Sequence, residues 1–385
     1  MIFNKFYIAI IYLFVSFSLQ AQDSVSLFKL KGQADAFAAM NFTNPIQSQA
    51  GLRLLPVLSI AKGFANNLKL DAEISVDGYL NYHFTGTKSD QDNSKIKPYR
   101  LWLRLSSERF ELRAGLQKIN FGSATMLRPL MWFDRMDPRD PLQLTDGVYA
   151  LLGRYYFQNN ANAWLWMLWG NDKTKGWETV PTSSKSPEYG GRMQIPVPLG
   201  EAAISFHHRN ADLSGIIPAA ILTGSPKYNE DKLGLDGKWD LGIGLWAEYS
   251  LTHSSLDTAY FHEWTKLFTL GIDYTFSLGN GLNVATEFFR YSNSTKIFKP
   301  ELNNAFSLFS ANYPIGINSR ISGILYYNWT NQDWYRILNF QRQSDDWTFY
   351  LFLFWNPRTI SIYNNGNESN MFAGKGIQVM VVYNF

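Results

Sequence analysis

Phe268-Thr-Leu-Gly-Ile-Asp-Tyr-Thr-Phe276 carries an apolar side chain at every second position, with Thr269, Gly271, Asp273 and Thr275 between them. Successive side chains of a β-strand project to opposite faces, so this stretch reads as a strand with one greasy face and one wet face. The pattern extends in both directions. Upstream, Leu68, Leu70, Ala72, Ile74 and Val76 alternate with Lys69, Asp71, Glu73, Ser75 and Asp77; downstream, Ile377, Val379, Val381, Tyr383 and Phe385 alternate with Gln378, Met380, Val382 and Asn384. Such segments recur from residue 26 to the end, with no convincing amphipathic helix among them.

The connectors alternate in length. Short ones, rich in Gly, Asn, Ser, Asp and Pro as tight hairpins require, fall at 63–67, 106–108, 158–161, 198–201, 240–242, 278–281, 313–318 and 344–346. Long ones occupy 85–97, 122–146, 171–188, 210–228, 254–263, 293–300 and 356–374. The expected fold is all-β: a transmembrane antiparallel up-and-down β-barrel of about 18 strands (roughly 16 to 18), each roughly 9 to 14 residues long. So much strand would be anomalous in a soluble domain. A sheet in lipid must close on itself to pair its backbone, and it needs no separate core. A sandwich, propeller or β-helix would leave a broad apolar band in water, and no blade or solenoid repeat is visible. Tyr99, Trp102, Tyr155, Phe157, Trp164, Trp166, Trp169, Tyr249, Tyr274, Phe276, Tyr291, Trp347 and Trp355 fall mostly near strand ends, where membrane interfaces favour amphipathic rings.

Composition narrows the function. The 385 residues are 46% hydrophobic and 17% charged, too apolar for disorder, while a mean hydropathy of -0.20 is too polar for a helical membrane protein. A net charge of +3 gives no footprint for nucleic acid. The absence of cysteine excludes disulfides, thiolate metal sites, cysteine nucleophiles and a lipoprotein anchor. Lys5, the apolar run from Phe6 to Leu19 and the small Ala21 make residues 1–21 a cleavable signal peptide, since a run of ~14 residues is too short to span a bilayer. Residues 22–385 then form a single barrel domain.

If the apolar series faces lipid, the other series faces the lumen. Strand 98–106 points Arg100 and Arg104 inward, strand 109–121 points Glu111, Arg113 and Gln117, and strand 147–157 points Arg154. Arg192 with Gln194, and His207 with Arg209, follow. Adjacent strands lie roughly 4.8 Å apart, so these guanidiniums form a basic stripe. Asp71, Glu73 and Asp77 of strand 67–84 are candidates for a facing acidic wall. The connector 122–146 mixes Arg128, Asp134, Arg135, Asp137, Arg139, Asp140 and Asp146 with Met131, Trp132, Phe133 and three prolines. Structureless loops of that length are uncommon unless functional. It is expected to fold into the lumen as a charged constriction; the alternative is a solvated cap held by its own ion pairs. A field between basic and acidic walls would select small polar or anionic solutes. Trp132, Phe133, Trp177, Tyr228, Trp239 and Trp246 could instead form an aromatic slide for sugars.

Catalysis is disfavoured. Ser205 and His207 share a strand face, but no nucleophile elbow or His-Glu-x-x-His pair is present. Asp134, Asp137 and Asp140 lack calcium-loop spacing, so no metal or other cofactor is expected.

These features together resemble the outer-membrane porin-like barrels of Gram-negative bacteria: a signal peptide, alternating strands, short turns opposite long loops, and a last strand, Gly376-Ile-Gln-Val-Met-Val-Val-Tyr-Asn-Phe385, ending on an aromatic. The resemblance implies that Tyr383 and Phe385 are read by the barrel-assembly machinery. It also implies outer-membrane lipid and lipopolysaccharide as surroundings, and homotrimers as a common assembly. The ending Leu19-Gln-Ala-Gln22 and the Asn-, Tyr- and Phe-rich composition resemble Bacteroidetes sequences, and residues 122–140 resemble alginate-export-like and related porin barrels. The expectation is passive diffusion of small hydrophilic solutes, anionic or sugar-like, across the cell outer membrane. Polysaccharide export, or a non-conducting adhesion, secretion or envelope-assembly barrel, are the competing readings.

Overall fold

Among the described residues each strand pairs antiparallel with its neighbours in chain order, and the last pairs with the first. The computed structural model describes residues 27–85, 88–92, 94–136, 140–216, 225–256, 262–298, 302–357 and 372–385. Residues 1–21, expected to be a signal peptide, lie outside the described residues, as do Asp137 and Arg139. Among the described residues, nineteen strands run in chain order from Phe28–Asn41 to Lys375–Asn384. Lys88–Asp92 and Lys95–Ser106 both pair with Lys69–Thr85 and act as one interrupted stave, so the fold is a closed antiparallel barrel of 18 staves. The expected connector 85–97 is therefore largely strand. The seam is sealed by pairs from Gln33↔Asn384 to Asn41↔Gly376. Each backbone group left unpaired in hydrocarbon would cost several kcal/mol.

Period two decides what each face meets. On Trp347–Trp355, Trp347, Phe349, Leu353 and Trp355 are exposed, while Thr348, Phe352 and Phe354 are buried. A rise of roughly 3.4 Å per residue and a tilt of about 40° set the two indoles roughly 20 Å apart along the axis, close to the ~25 Å apolar band of membrane barrels. Rings gather at both rims. Trp347 meets Tyr383 at 4.7 Å and Tyr274 meets Phe276 at 4.8 Å near the short turns, while Tyr327 lies 4.8 Å from both Trp329 and Trp334 at the other end. Four aromatics expected at the rims instead turn inward: Trp102 beneath Arg113, Trp164 beneath Arg154, Trp166 against His207, and Tyr291 beside Trp177. Aromatic side chains favour strands on either face, so strand position alone could not separate them.

The long-loop end is not simply open. Residues 118–136, 140–147 and 169–187 turn back into the barrel, and their apolar side chains make its internal core with the inner wall. Leu127 packs with Leu267, Phe289, Phe306, Leu308, Tyr326 and Tyr335. Phe121, Leu130, Trp132 and Phe133 pack with Ile119, Val148, Leu152, Trp166 and Leu168.

Candidate constriction and lumen wall

The connector after Phe110–Gln117 crosses the lumen because the far wall supplies acceptors for its backbone. A chain without regular structure exposes N–H groups that must be paired if buried. Glu248 and Glu287, both 1% exposed, supply the partners. Glu287 accepts from the backbone N–H of Thr125 at 2.8 Å, of Met126 at 3.2 Å and of Leu127 at 2.7 Å, from the Thr125 hydroxyl at 2.9 Å, and from the Trp246 indole at 3.0 Å. Glu248 accepts from Ala124 at 2.7 Å and Leu130 at 3.1 Å. The Trp132 indole donates to Ser250 at 3.0 Å. Gly234 makes room: a β-carbon there would lie 2.5 Å from Leu130.

Within this loop the charges brace the fold rather than line a passage. Arg128 is buried, donates to the Phe121 carbonyl at 3.0 Å and to Asn120, and pairs with Asp134 at 3.4 Å. Arg135 donates to the Gly176 carbonyl at 3.2 Å. Asp140 caps its own turn, accepting from Leu142 at 3.0 Å and Leu144 at 3.3 Å. Arg100, expected in the pore, is buried and donates to the Thr145 carbonyl at 2.9 Å, holding the returning limb.

The second inward loop is fixed by a buried charge network that sequence reasoning missed. Glu178 receives Lys232 at 2.8 Å, Arg209 at 3.2 Å and Lys175 at 3.6 Å. Arg209 also pairs with Glu230 at 2.7 Å, and Lys175 with Glu188 at 3.0 Å. Burial alone would raise the Glu178 pKa; Arg209, Lys175 and Lys232 reverse this and hold the carboxyl well below the usual carboxylate range. The only advance signal was parity, which placed His207 and Arg209 inward together.

Along the first strands a strip of cations stays accessible. Arg53, Lys97 and Arg104 keep about a quarter of their side chains exposed (26%, 25% and 26%), against 1% for Arg209 and 4% for Arg192. Arg104 pairs with Asp71 at 2.8 Å and approaches Glu111 at 3.5 Å; Glu111 also receives Arg113 at 2.7 Å and Arg154 at 3.6 Å. Arg113 lies 4.8 Å from the Trp102 ring centre and Arg154 lies 3.9 Å from that of Trp164. Arg113 Nε, Arg154 Nε and Trp164 Nε1 are buried donors with no hydrogen-bond partner.

The acidic residues do not form a facing wall. Asp71 stands opposite Arg104 and Glu73 opposite Trp102 on the adjoining strand, and Asp77 pairs with Arg53 at 3.5 Å and Lys97 at 3.7 Å. Consecutive strands of a meander are neighbours, so the acidic strand neutralises the basic one instead of opposing it across the bore. Arg192 is withdrawn as well, bound to Asp236 and to Ser205 at 3.1 Å. Trp239 belongs to the outward face, its ring covering the site of a β-carbon on Gly237 two residues away. Trp132, Trp246 and Tyr228 are buried in packing contacts, and Trp177 donates to the Arg128 carbonyl at 2.8 Å.

His207 accepts the Trp166 indole N–H on Nδ1 at 3.2 Å, so its proton sits on Nε2 and is donated to Glu188 at 3.2 Å. The imidazole is neutral and both nitrogens are engaged, while Ser205 accepts from Arg192. The two do not form a nucleophile and base pair. Tyr383 and Phe385 lie at the closing edge, where Phe385 exchanges backbone hydrogen bonds with Gly32 at 2.8 and 3.0 Å.

No protein-family model and no curated protein matches the sequence. Solved structures do match in fold. OccAB4 of Acinetobacter baumannii aligns at a TM-score of 0.55 and 10% identity over 94% of this chain and 98% of that one. OpdQ of Pseudomonas aeruginosa aligns at 0.54 and 9% over 94% and 99%, and OmpF of Salmonella typhi at 0.51 and 11% over 93% and 97%. At so little identity the likeness speaks to architecture alone: this chain has the fold of the outer-membrane porin barrels.

Proposed function

We propose that this chain is an outer-membrane channel for passive diffusion of small hydrophilic solutes, with the long loops outside the cell and residues 1–21 removed on export. One observation carries the reading. The wall is sealed, apolar outside and charged inside, and after two loops have filled much of the bore, solvent still reaches the strip of Arg53, Lys97 and Arg104. The activity needs no catalytic residue. Tyr383 and Phe385, on the closing strand, suit a signal read during barrel assembly.

Within the strip, Arg104, Arg113 and Arg154 surround Glu111, and with Asp71 counted the cluster keeps one positive charge in excess, which favours solutes carrying an anionic group. The test is single-channel recording of refolded protein under a salt gradient. Open-channel steps with anion preference are expected. Replacing Arg104, Arg113 and Arg154 with Gln should shift the reversal potential toward cations, and unchanged selectivity rejects the cluster as the selecting element. A second reading, a closed barrel whose loops bind partners, is favoured by how far the two loops fill the lumen. Absence of open-channel steps would support it.

A further inference from the structure

The outward faces of seven consecutive strands, from Trp264–Phe276 round to Lys375–Asn384, carry Lys266, Arg290, Arg336, Arg342 and Lys375 and, among the described residues, no carboxylate. Four of these cations sit at the long-loop end; only Arg342 lies near the short turns. Elsewhere at the long-loop end the outward face also carries carboxylates, with Asp231 2.7 Å from the His208 ring and Asp212 3.9 Å from Lys227. The cationic arc is therefore confined to one side of the barrel.

The arc is ordered. Arg336 stands directly opposite Trp355, its guanidinium 5.2 Å from that ring and 5.9 Å from Trp334. Lys375 stands opposite Trp355 on the other side, so the two cations straddle one indole across three strands, roughly 10 Å apart at the backbone. Arg290, opposite Phe268, donates to Asn303 at 3.1 Å, and Lys266 lies diagonal to it, opposite Ser292. A cation that merely snorkels toward water keeps its freedom. Arg336 and Arg290 are instead held at the ring belt, where headgroups lie. Fixed guanidiniums match phosphate oxygens, and indoles suit the headgroup layer.

We propose that this arc is a docking surface for the phosphate-bearing headgroup of a lipid in the leaflet at the long-loop end. The inference rests on the membrane-channel reading. In the test, full-length protein is reconstituted in phosphatidylcholine nanodiscs doped with phosphatidic acid, and lipid retained after detergent extraction is counted by native mass spectrometry. Wild type should retain phosphatidic acid over phosphatidylcholine. Arg336→Gln with Lys375→Gln should reduce that retention by roughly fivefold or more, as loss of cations near an anionic surface implies, and adding Arg290→Gln should reduce it further. Arg336→Lys should retain part of the effect, and Arg342→Gln should leave it unchanged. Equal retention by wild type and the double variant, or an equal loss on Arg342→Gln, overturns the proposal. If the double variant does not form a barrel, the single Arg336→Gln and Lys375→Gln variants decide by the same criterion. Conductance recorded on the same samples separates the two claims: channels without lipid selectivity sink this site alone, and lipid selectivity without channels sinks the channel alone.

Discussion

Glu287 accepts five hydrogen bonds, three of them from consecutive backbone N–H groups of a loop about 160 positions away in the chain. A buried carboxylate is tolerable when donors surround it, and each such bond contributes about 1.5–3 kcal/mol. Glu287→Gln turns one acceptor oxygen into a donor facing other donors, so the loop should loosen while the barrel persists. The expected outcome is noisier open-channel current and faster proteolysis within 122–136, with the refolding band shift intact; current as quiet as wild type would show that apolar packing alone holds the loop. Glu287 was not among the residues singled out from the sequence. Its partners were not legible, because contacts between a loop and a distant wall leave no periodic trace. Arg100 and Arg128 show the converse. Both were recognisable as charged residues for the interior, yet each is spent on backbone carbonyls, a distinction that depends on how the loop folds.

At the scale of elements, the strands were readable because each is specified locally by its own alternation, and the short turns because Asn and Gly supply left-handed backbone, as at Asn66 (φ 62°) and Asn160 (φ 63°). The pairing of Asp71 with Arg104 was readable too, since the two strands are consecutive. The expectation of opposed walls overlooked that adjacency. The loop 169–187 was unreadable, because its hold is a charge network drawn from several strands. That network predicts the loop's response to acid. The Glu178 pKa lies below the ordinary carboxylate value, so its contribution is fully present above that value, 4.5, and is lost only as pH falls through the depressed one. Hydrogen-exchange protection across 172–186, taken relative to the intrinsic exchange rate at each pH, should therefore stay constant from about pH 8 to pH 5 and fall only below the ordinary carboxylate range. Loss of protection already between those two values would mean that another group holds the loop.

For the whole molecule, stability depends on closure, and closure ends at one contact. Gly32 and Phe385 exchange backbone hydrogen bonds one position beyond Gln33↔Asn384, and the Phe385 ring occupies the space a β-carbon on Gly32 would need, 2.1 Å from that point. The first strand thus leaves a gap that the terminal aromatic fills, while Tyr383 lies tilted against Trp347 of the preceding strand at 4.7 Å. Any side chain at residue 32 must expel the ring. Pairs from Gln33 to Asn41 would still close the sheet, so Gly32→Val should fold but fray at the short-turn end. Overpacking of this kind costs about 1–3 kcal/mol. Refolding followed by the heat-dependent gel shift should slow, and the midpoint of thermal unfolding should fall, whereas Phe385→Leu, which shrinks the plug without crowding it, should have a smaller effect. A Gly32→Val barrel that refolds and melts like wild type would show that the seam is held by its backbone ladder alone, and that the terminal ring serves only during assembly.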